Sequence, residues 1–276
     1  MFSGLVGRAR VILSEQGIRG LLRAVLRFFY WRVRERWPKV LFLFAGSTKT
    51  RTVEGISSTF VVEEYPEFER VYDLMGEQEV LEDVLVETCP DDVFYDIGAN
   101  VGIYSCFVGK KLSDGAVVAF EPHPENLGSL RENLAQNGVD AIVRETALGA
   151  DPGTANLRET GTDAGEGEHA IVGPNADEGI PVPVERLDAA VAEGLPDPTV
   201  VKIDVEGAET EVVSGGASTL SDCRLVYCEL HPDRMMERGG SPKEILQKFE
   251  DLGFDVELLE GRKREYVIVK ATRYNS

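Results

Sequence analysis

Asp96, Gly98, Asn100 and Gly102, in the run VFYDIGANVGIYS (93–105), have the residue types and spacing to hold a small charged ligand. Apolar, β-favouring residues lead up to Asp96, glycines follow, and a new apolar pattern opens at Ile103. A buried strand that ends in an acid and turns through glycines into a helix makes a crevice. Glycine lets the backbone approach a ligand closely, and the helix N-terminus offers unpaired N–H groups. The D-x-G-x-N-x-G spacing is not the G-x-G-x-x-G of dinucleotide enzymes. An acid at the strand tip repels a pyrophosphate and suits a cation, such as the amino group of S-adenosylmethionine. A bare strand–turn–helix junction fits the same residues.

Further acids fall at the ends of later apolar runs. In open parallel sheets ligands bind outside the carboxyl ends of the strands. Glu121 ends AVVAFE, 23 residues beyond Gly98, where an acid accepts hydrogen bonds from ribose hydroxyls. AIVRETAL ends near Glu145, Thr146 and Ala147, a place for an adenine. PTVVKIDV ends in Asp204, with Glu206 just beyond, and RLVYCEL ends in Glu229, followed by His231. Carboxylates at four strand tips are rare in a purely structural sheet, because charged groups are seldom buried unpaired. No metal-ligand spacing appears among the four cysteines and three histidines, so no metal is expected from them.

These tips require strands alternating with helices, as in a parallel sheet with covering helices. Strands are predicted at 93–96, 116–122, 141–148, 198–205 and 224–230, and a closing hairpin from FDVELLE and EYVIVKA. Helices follow from Ile103, from Pro124 to about Gly138, over GAETEVVS, and over SPKEILQKFEDLGF. The last carries a capping box of Ser241 and Glu244 with Pro242 at its first position. Before the opening motif, residues 51–76 read as a short strand or hairpin and a linking turn, with a helix over GEQEVLEDVLVET. Residues 149–198 are glycine-rich and acidic with short strands (TANLRE, IPVPVERLD). They read either as a substrate-side flap or as a surface insertion.

Residues 1–51 carry eleven Lys or Arg against Glu15 and Glu35, a net +9, so the remaining 225 residues carry −28 of the total −19. An acidic body argues against a nucleic-acid partner. It resembles halophilic proteins, whose self-repulsion salt screens. From Gln16 to Trp37, Arg19, Arg23, Arg27 and Arg34 share one helical face; Ile18, Leu22, Val25, Phe29 and Val33 share the other. The segment 16–45 is too interrupted to span a bilayer. It reads as a peripheral membrane helix or as one docked on protein. Cys89, Cys106, Cys223 and Cys228 contain no C-x-x-C pair and read as reduced, buried thiols of a cytoplasmic protein. The domains expected are a basic amphipathic arm (1–50), a strand/helix lead-in (51–90) and a catalytic domain (91–276).

The blocks FYDIGANVGIYS, VVAFEPHPENLGSLRENLAQNG, ETALGADPG, VERLD, VVKIDVEGAETEVVSGG and YCELHP together resemble the FkbM family of S-adenosylmethionine-dependent methyltransferases, over about residues 90–275. The resemblance implies a Rossmann-like class I methyltransferase fold: a mixed, mostly parallel seven-stranded α/β sheet ending in an antiparallel hairpin, here with an N-terminal helical arm. It implies O-methylation of a hydroxyl on a saccharide, glycan or related small molecule. Asp96, Gly98, Asn100 and Gly102 would line the methionine end of S-adenosylmethionine, and Glu121 the ribose. Ala147 would lie by the adenine. Asn126 would support Glu121 or serve only as a first-turn helix residue. Asp204 and Glu206 would sit beside the transferring methyl. His231 is the first candidate for the base and Asp204 its rival, with a loop-capping role open for His231. His123 would order the turn after Glu121, and His169 lies in the insertion. A nicotinamide-dependent oxidoreductase, and a non-catalytic cofactor-binding protein attached to membrane by its arm, are the competing readings.

Overall fold

A computed structural model describes residues 39, 41–44, 46–159, 169–172, 179–259 and 266–273. The chain forms two compact units, Met1–Gly46 and Ser47–Ser276. The expected helix at 16–37 lies outside the described residues. Among the described residues, no helix is long and apolar enough to cross a membrane.

The second unit begins with the hairpin β1 (Thr48–Val53) and β2 (Ile56–Val61). Helix α1 (Tyr65–Asp73) follows, where the sequence suggested only a turn; a capping box between Glu64 and Glu67 starts it. Helix α2 (Gln78–Glu87) buries Val80, Leu81, Val84 and Leu85. Strand β3 (Val93–Ile97) leads through the glycine turn into α3 (Ile103–Lys111). Strand β4 (Ala116–Phe120) leads to α4 (Pro124–Asn137), which stops at left-handed Gly138. Strand β5 (Ala141–Arg144) is followed by β6 (Ala147–Leu148), β7 (Gly153–Glu159), β8 (His169–Val172) and β9 (Ile180–Glu185). Then come α5 (Leu187–Ala192), β10 (Val200–Ile203), α6 (Glu209–Gly215) and α7 (Ala217–Asp222). The chain continues with β11 (Leu225–Leu230), α8 (Pro232–Glu237), α9 (Pro242–Asp251), β12 (Asp255–Leu259) and β13 (Val267–Thr272).

The main sheet has the order β12-β13-β11-β10-β3-β4-β5, with β13 antiparallel to both neighbours and the other pairings parallel. The seven-stranded class I methyltransferase sheet that the resemblance implies is therefore the sheet observed. Side chains alternate across it. Tyr95, Ile97, Val118, Phe120, Val201, Ile203, Val226 and Cys228 join one buried cluster with Leu187, Val212, Leu220, Ile245 and Phe249 of the helices on that face. Phe94, Val117 and Ala119 face the other way. So do Asp96 and Lys202, which the register sets side by side.

The expected third strand at 141–148 is in fact two. β5 ends at Arg144, and β6 pairs parallel with β9 in a separate four-stranded sheet of order β6-β9-β7-β8. The stretch expected to be irregular is thus largely sheet in its described part, with its own small core of Ala147, Ala155, Leu157 and Val182. Arg144 grips Glu185 through two hydrogen bonds, of 2.7 and 3.2 Å, and fastens this sheet beside β5.

At the edge where β3, β10 and β11 begin, Asp92 ties the strands together. It accepts hydrogen bonds from Thr199 Oγ1 at 2.7 Å, Cys89 N at 2.6 Å and Arg224 Nε at 3.1 Å, and pairs with Arg224 Nη2. The cysteines are free; Cys106, Cys223 and Cys228 are buried, whereas Cys89 is exposed, against expectation.

Candidate active site

The opposite edge holds the acids. Asp96 ends β3 fully buried, and its Oδ2 accepts hydrogen bonds from Ser105 N at 3.0 Å and Ser105 Oγ at 2.6 Å. It thereby satisfies a free N–H in the first turn of α3. Between them, Gly98 and Gly102 take φ of +81° and +84°, and Asn100 takes +51°. Gly98 has a second constraint: a Cβ there would lie 1.8 Å from the backbone oxygen of Asp204. The tips of β3 and β10 therefore meet backbone to backbone.

Glu121, just past β4, closes the turn. Its Oε2 accepts Asn100 N at 2.8 Å; its Oε1 accepts His123 N at 2.8 Å and Asn126 Nδ2 at 3.3 Å. The structure thus brings together Asp96, Gly98, Asn100, Gly102, Glu121 and Asn126, and His123 orders the turn through its backbone. A carboxylate has about four acceptor positions, so Oε2 keeps one for a ligand hydroxyl. Burial raises the pKa of both Asp96 and Glu121. Asp96 Oδ1 and Asn100 Oδ1 are buried with no hydrogen-bond partner among the described residues. Two bare acceptors in a glycine cradle, beside a carboxylate with spare capacity, fit a ligand rich in N–H and O–H donors. S-adenosylmethionine, with its ammonium and ribose hydroxyls, is such a ligand.

Ala147 lies in β6, buried in the small core of the second sheet, just beyond Arg144, whose backbone oxygen accepts Glu121 N at 3.1 Å. His169 is in β8, and its side chain lies outside the described residues.

Beyond Gly98 lies a second group. Lys202 Nζ, buried in β10, donates to Asp204 Oδ2 at 3.0 Å and sits 4.7 Å from the Tyr104 ring centroid. Tyr104 donates its hydroxyl to Glu77 Oε2 at 2.8 Å. Glu77, Tyr104, Lys202 and Glu209 join the site without having been expected from sequence. Lys202 had a signal, being a lone charge inside the apolar run VVKI; Glu77 had none. Burial, then the charge of Glu229, pushes the Glu77 carboxyl up to about 8. Burial and the neighbouring Asp204 raise Glu229 as well. Burial also works against the charge of Asp204, but Lys202 and then His231 hold its carboxyl below the usual range.

After β10 the chain turns through Glu206, whose φ of +53° is strained for a residue with a side chain. Glu206 Oε2 pairs with Arg234 and lies 3.1 Å from His231 Nε2. His231 Nδ1 is 2.9 Å from Glu209 Oε1, and its Nε2 is also 3.5 Å from Glu229 Oε1. Both ring nitrogens therefore face carboxylates. Burial disfavours the charged ring, but hydrogen bonds to Glu209 and Glu229 outweigh it and push His231 up to about 10. Asp204 Oδ1 and Glu229 Oε2 are buried without partners among the described residues.

The Methyltransferase FkbM domain family matches residues 96–256. Among relatives, the hexuronic acid methyltransferase AglP of Haloferax volcanii is 30% identical over 218 residues, covering 78% of this chain and 86% of that protein. The 31-O-demethyl-FK506 methyltransferase FkbM of Streptomyces tacrolimicus is 29% identical, over 62% of this chain and 75% of its own. The 2-O-methyltransferase NoeI of Sinorhizobium fredii is 28% identical, over 58% and 73%.

Proposed function

The chain belongs to the FkbM methyltransferase family, and from that premise we propose that this S-adenosylmethionine-dependent enzyme methylates a hydroxyl of a saccharide, glycan or related small molecule. The nicotinamide alternative does not survive family membership. When bound, S-adenosylmethionine would supply a methyl group already activated by its sulfonium. Asp96, Asn100 and the glycine turn hold the methionine end, and Glu121 holds a ribose hydroxyl.

The remaining work is to place the acceptor and take its proton. The observation that carries the assignment is the pair of bare buried oxygens, Asp204 Oδ1 and Glu229 Oε2, beside the strand tip shared with Gly98. These carboxylates receive the hydroxyl proton. While its two nitrogens share protons with Glu209, Glu206 and Glu229, His231 orients these acids instead of taking that proton. Lys202 keeps Asp204 charged and oriented. The setting proposed is the cytoplasm, with residues 16–45 in peripheral contact with an anionic membrane, where a lipid-carried glycan is a coherent acceptor.

The test is transfer of labelled methyl from S-adenosylmethionine to a cell glycan and lipid extract, read by mass spectrometry. Label should appear as an O-methyl on a saccharide. Asp204→Asn and Glu229→Gln should each lower turnover by about 100-fold or more, the usual worth of a proton-transfer group, with cofactor affinity within about threefold. Label confined to nitrogen, sulfur or nucleic acid would sink the substrate reading.

A further inference from the structure

The donor atoms around His231 have the spacing of a coordination shell. One oxygen or nitrogen each from Asp204, Glu206 and His231 lie within 4.8 Å of one another. The imidazole Nε2 is 3.1 Å from Glu206 Oε2 and 3.5 Å from Glu229 Oε1. For an octahedral cation with ligands at about 2.1 Å, adjacent donors stand about 3.0 Å apart and opposite ones about 4.2 Å. The other ring nitrogen, Nδ1, is 2.9 Å from Glu209 Oε1, on a glutamate that is completely buried. A carboxylate behind a ring nitrogen is how proteins orient a ligating histidine.

Two further observations point to a ligand rather than to a closed ion network. Asp204 and Glu229 have side chains only 10% and 8% exposed, yet Asp204 Oδ1 and Glu229 Oε2 have no partner among the described residues. Leaving such oxygens bare is costly unless something is to be bound. Around His231 stand the carboxylates of Asp204, Glu206, Glu209 and Glu229, against the cations of Lys202 and Arg234. With a neutral imidazole, two negative charges remain in excess, and a dication offsets them. Arg234 contacts the same Glu206 oxygen that faces His231, so its charge is the cation's competitor.

We propose that Asp204, Glu206 and His231 form a divalent-cation site at the acceptor end of the crevice. A set of carboxylate oxygens with one imidazole suits Mn2+ or Mg2+ rather than a thiolate-seeking metal. The position taken by a proton between Nε2 and the carboxylates is the position the cation takes. The proposal rests on the hydroxyl-methylating reading above. It deepens that reading: the cation binds the acceptor hydroxyl and acidifies it, and with Asp204 holding the cation the released proton goes to Glu229. Acceptors that offer two adjacent oxygens, such as a vicinal diol or a hydroxyl beside a carboxylate, chelate best at such a site.

The experiment is Mn2+ titration of the chelator-treated full-length chain, followed by electron paramagnetic resonance. One tight Mn2+ per chain is expected, with a nitrogen hyperfine coupling from the imidazole. His231→Gln should abolish that coupling and weaken the site at least tenfold, while calorimetry shows S-adenosylmethionine binding unchanged. The acidic surface will also collect Mn2+, but weakly and without nitrogen coupling. If the wild-type chain shows only that weak binding, or transfers methyl at full rate in excess chelator, the cation site is wrong and the methyltransferase reading stands. If the coupled site is present but no hydroxyl acceptor is methylated, the acceptor reading fails and the site stands.

Discussion

Glu121 spends three of its acceptor positions on Asn100 N, His123 N and the Asn126 amide, so it shapes the cradle and keeps one position for the proposed cofactor contact. Glu121→Ala should weaken S-adenosylmethionine binding by roughly 10- to 100-fold, the worth of a hydrogen bond to a charged group together with some loosening of the turn. Calorimetric titration measures this, and an unchanged affinity would remove Glu121 from the cofactor site. At this scale much of the site was legible. Asp96, Glu121, Asp204 and Glu229 stand out because acids end otherwise apolar runs. What was not legible has a spatial cause. Glu77 reaches Tyr104 from a helix 27 residues upstream, and Glu209 reaches His231 across 22 residues. Neither distance follows any local period.

Among the elements, the clamp at Asp92 decides how well the far edge is aligned. Val93 N donates to Thr199 Oγ1 at 2.9 Å, Arg224 N donates to Thr199 O at 3.0 Å, and Asp92 joins Thr199 to Arg224. Three parallel strands thus start in register, and their other ends present Asp96, Asp204 and Glu229 together. Burial alone would raise the Asp92 carboxyl, but hydrogen bonds from Arg224 and Thr199 hold it below the usual range. A carboxyl lowered on folding stabilises fully above its unfolded pKa, and that contribution is lost as pH falls through the folded value. Asp92→Asn should therefore cost about 1.5–3 kcal/mol at pH 7. That is roughly 3–10 °C in Tm, and the gap to wild type should close in acid, below the ordinary carboxylate range. A gap that persists in acid would mean the clamp is not ionic. The long strands and helices could be read from sequence because their periods and caps are strong, as with Ser241 and Pro242 at the start of α9. Short helices such as α5, α7 and α8 have too few residues to show a period; β7 and β9 match the short strands read at TANLRE and IPVPVERLD, whereas β8 lies in composition that resembles loop.

For the whole molecule, the opposed charges set the response to salt. The body of 225 residues carries −28 and repels itself, whereas the first 51 carry +9. Raising KCl from about 0.1 to 2 M should lift Tm by on the order of 10 °C by screening that repulsion. The same change should release the full-length chain from anionic liposomes that a version lacking residues 1–45 never binds. A Tm that falls with salt would exclude the halophilic reading, and equal sedimentation of the two chains would exclude the membrane one. Net charge was fully legible in sequence; the contact of Glu77 with the catalytic face was not, because it depends on where α2 docks. Tyr227 and Lys270 hold that helix through Asp83, at 2.6 and 2.7 Å. One last consequence follows from Gly98, whose α-carbon abuts the Asp204 carbonyl. On the proposed assignment, donor and acceptor compartments share a party wall a single backbone thick. Such an enzyme cannot be re-tuned for a new acceptor by moving that wall, since the cofactor would be evicted with it.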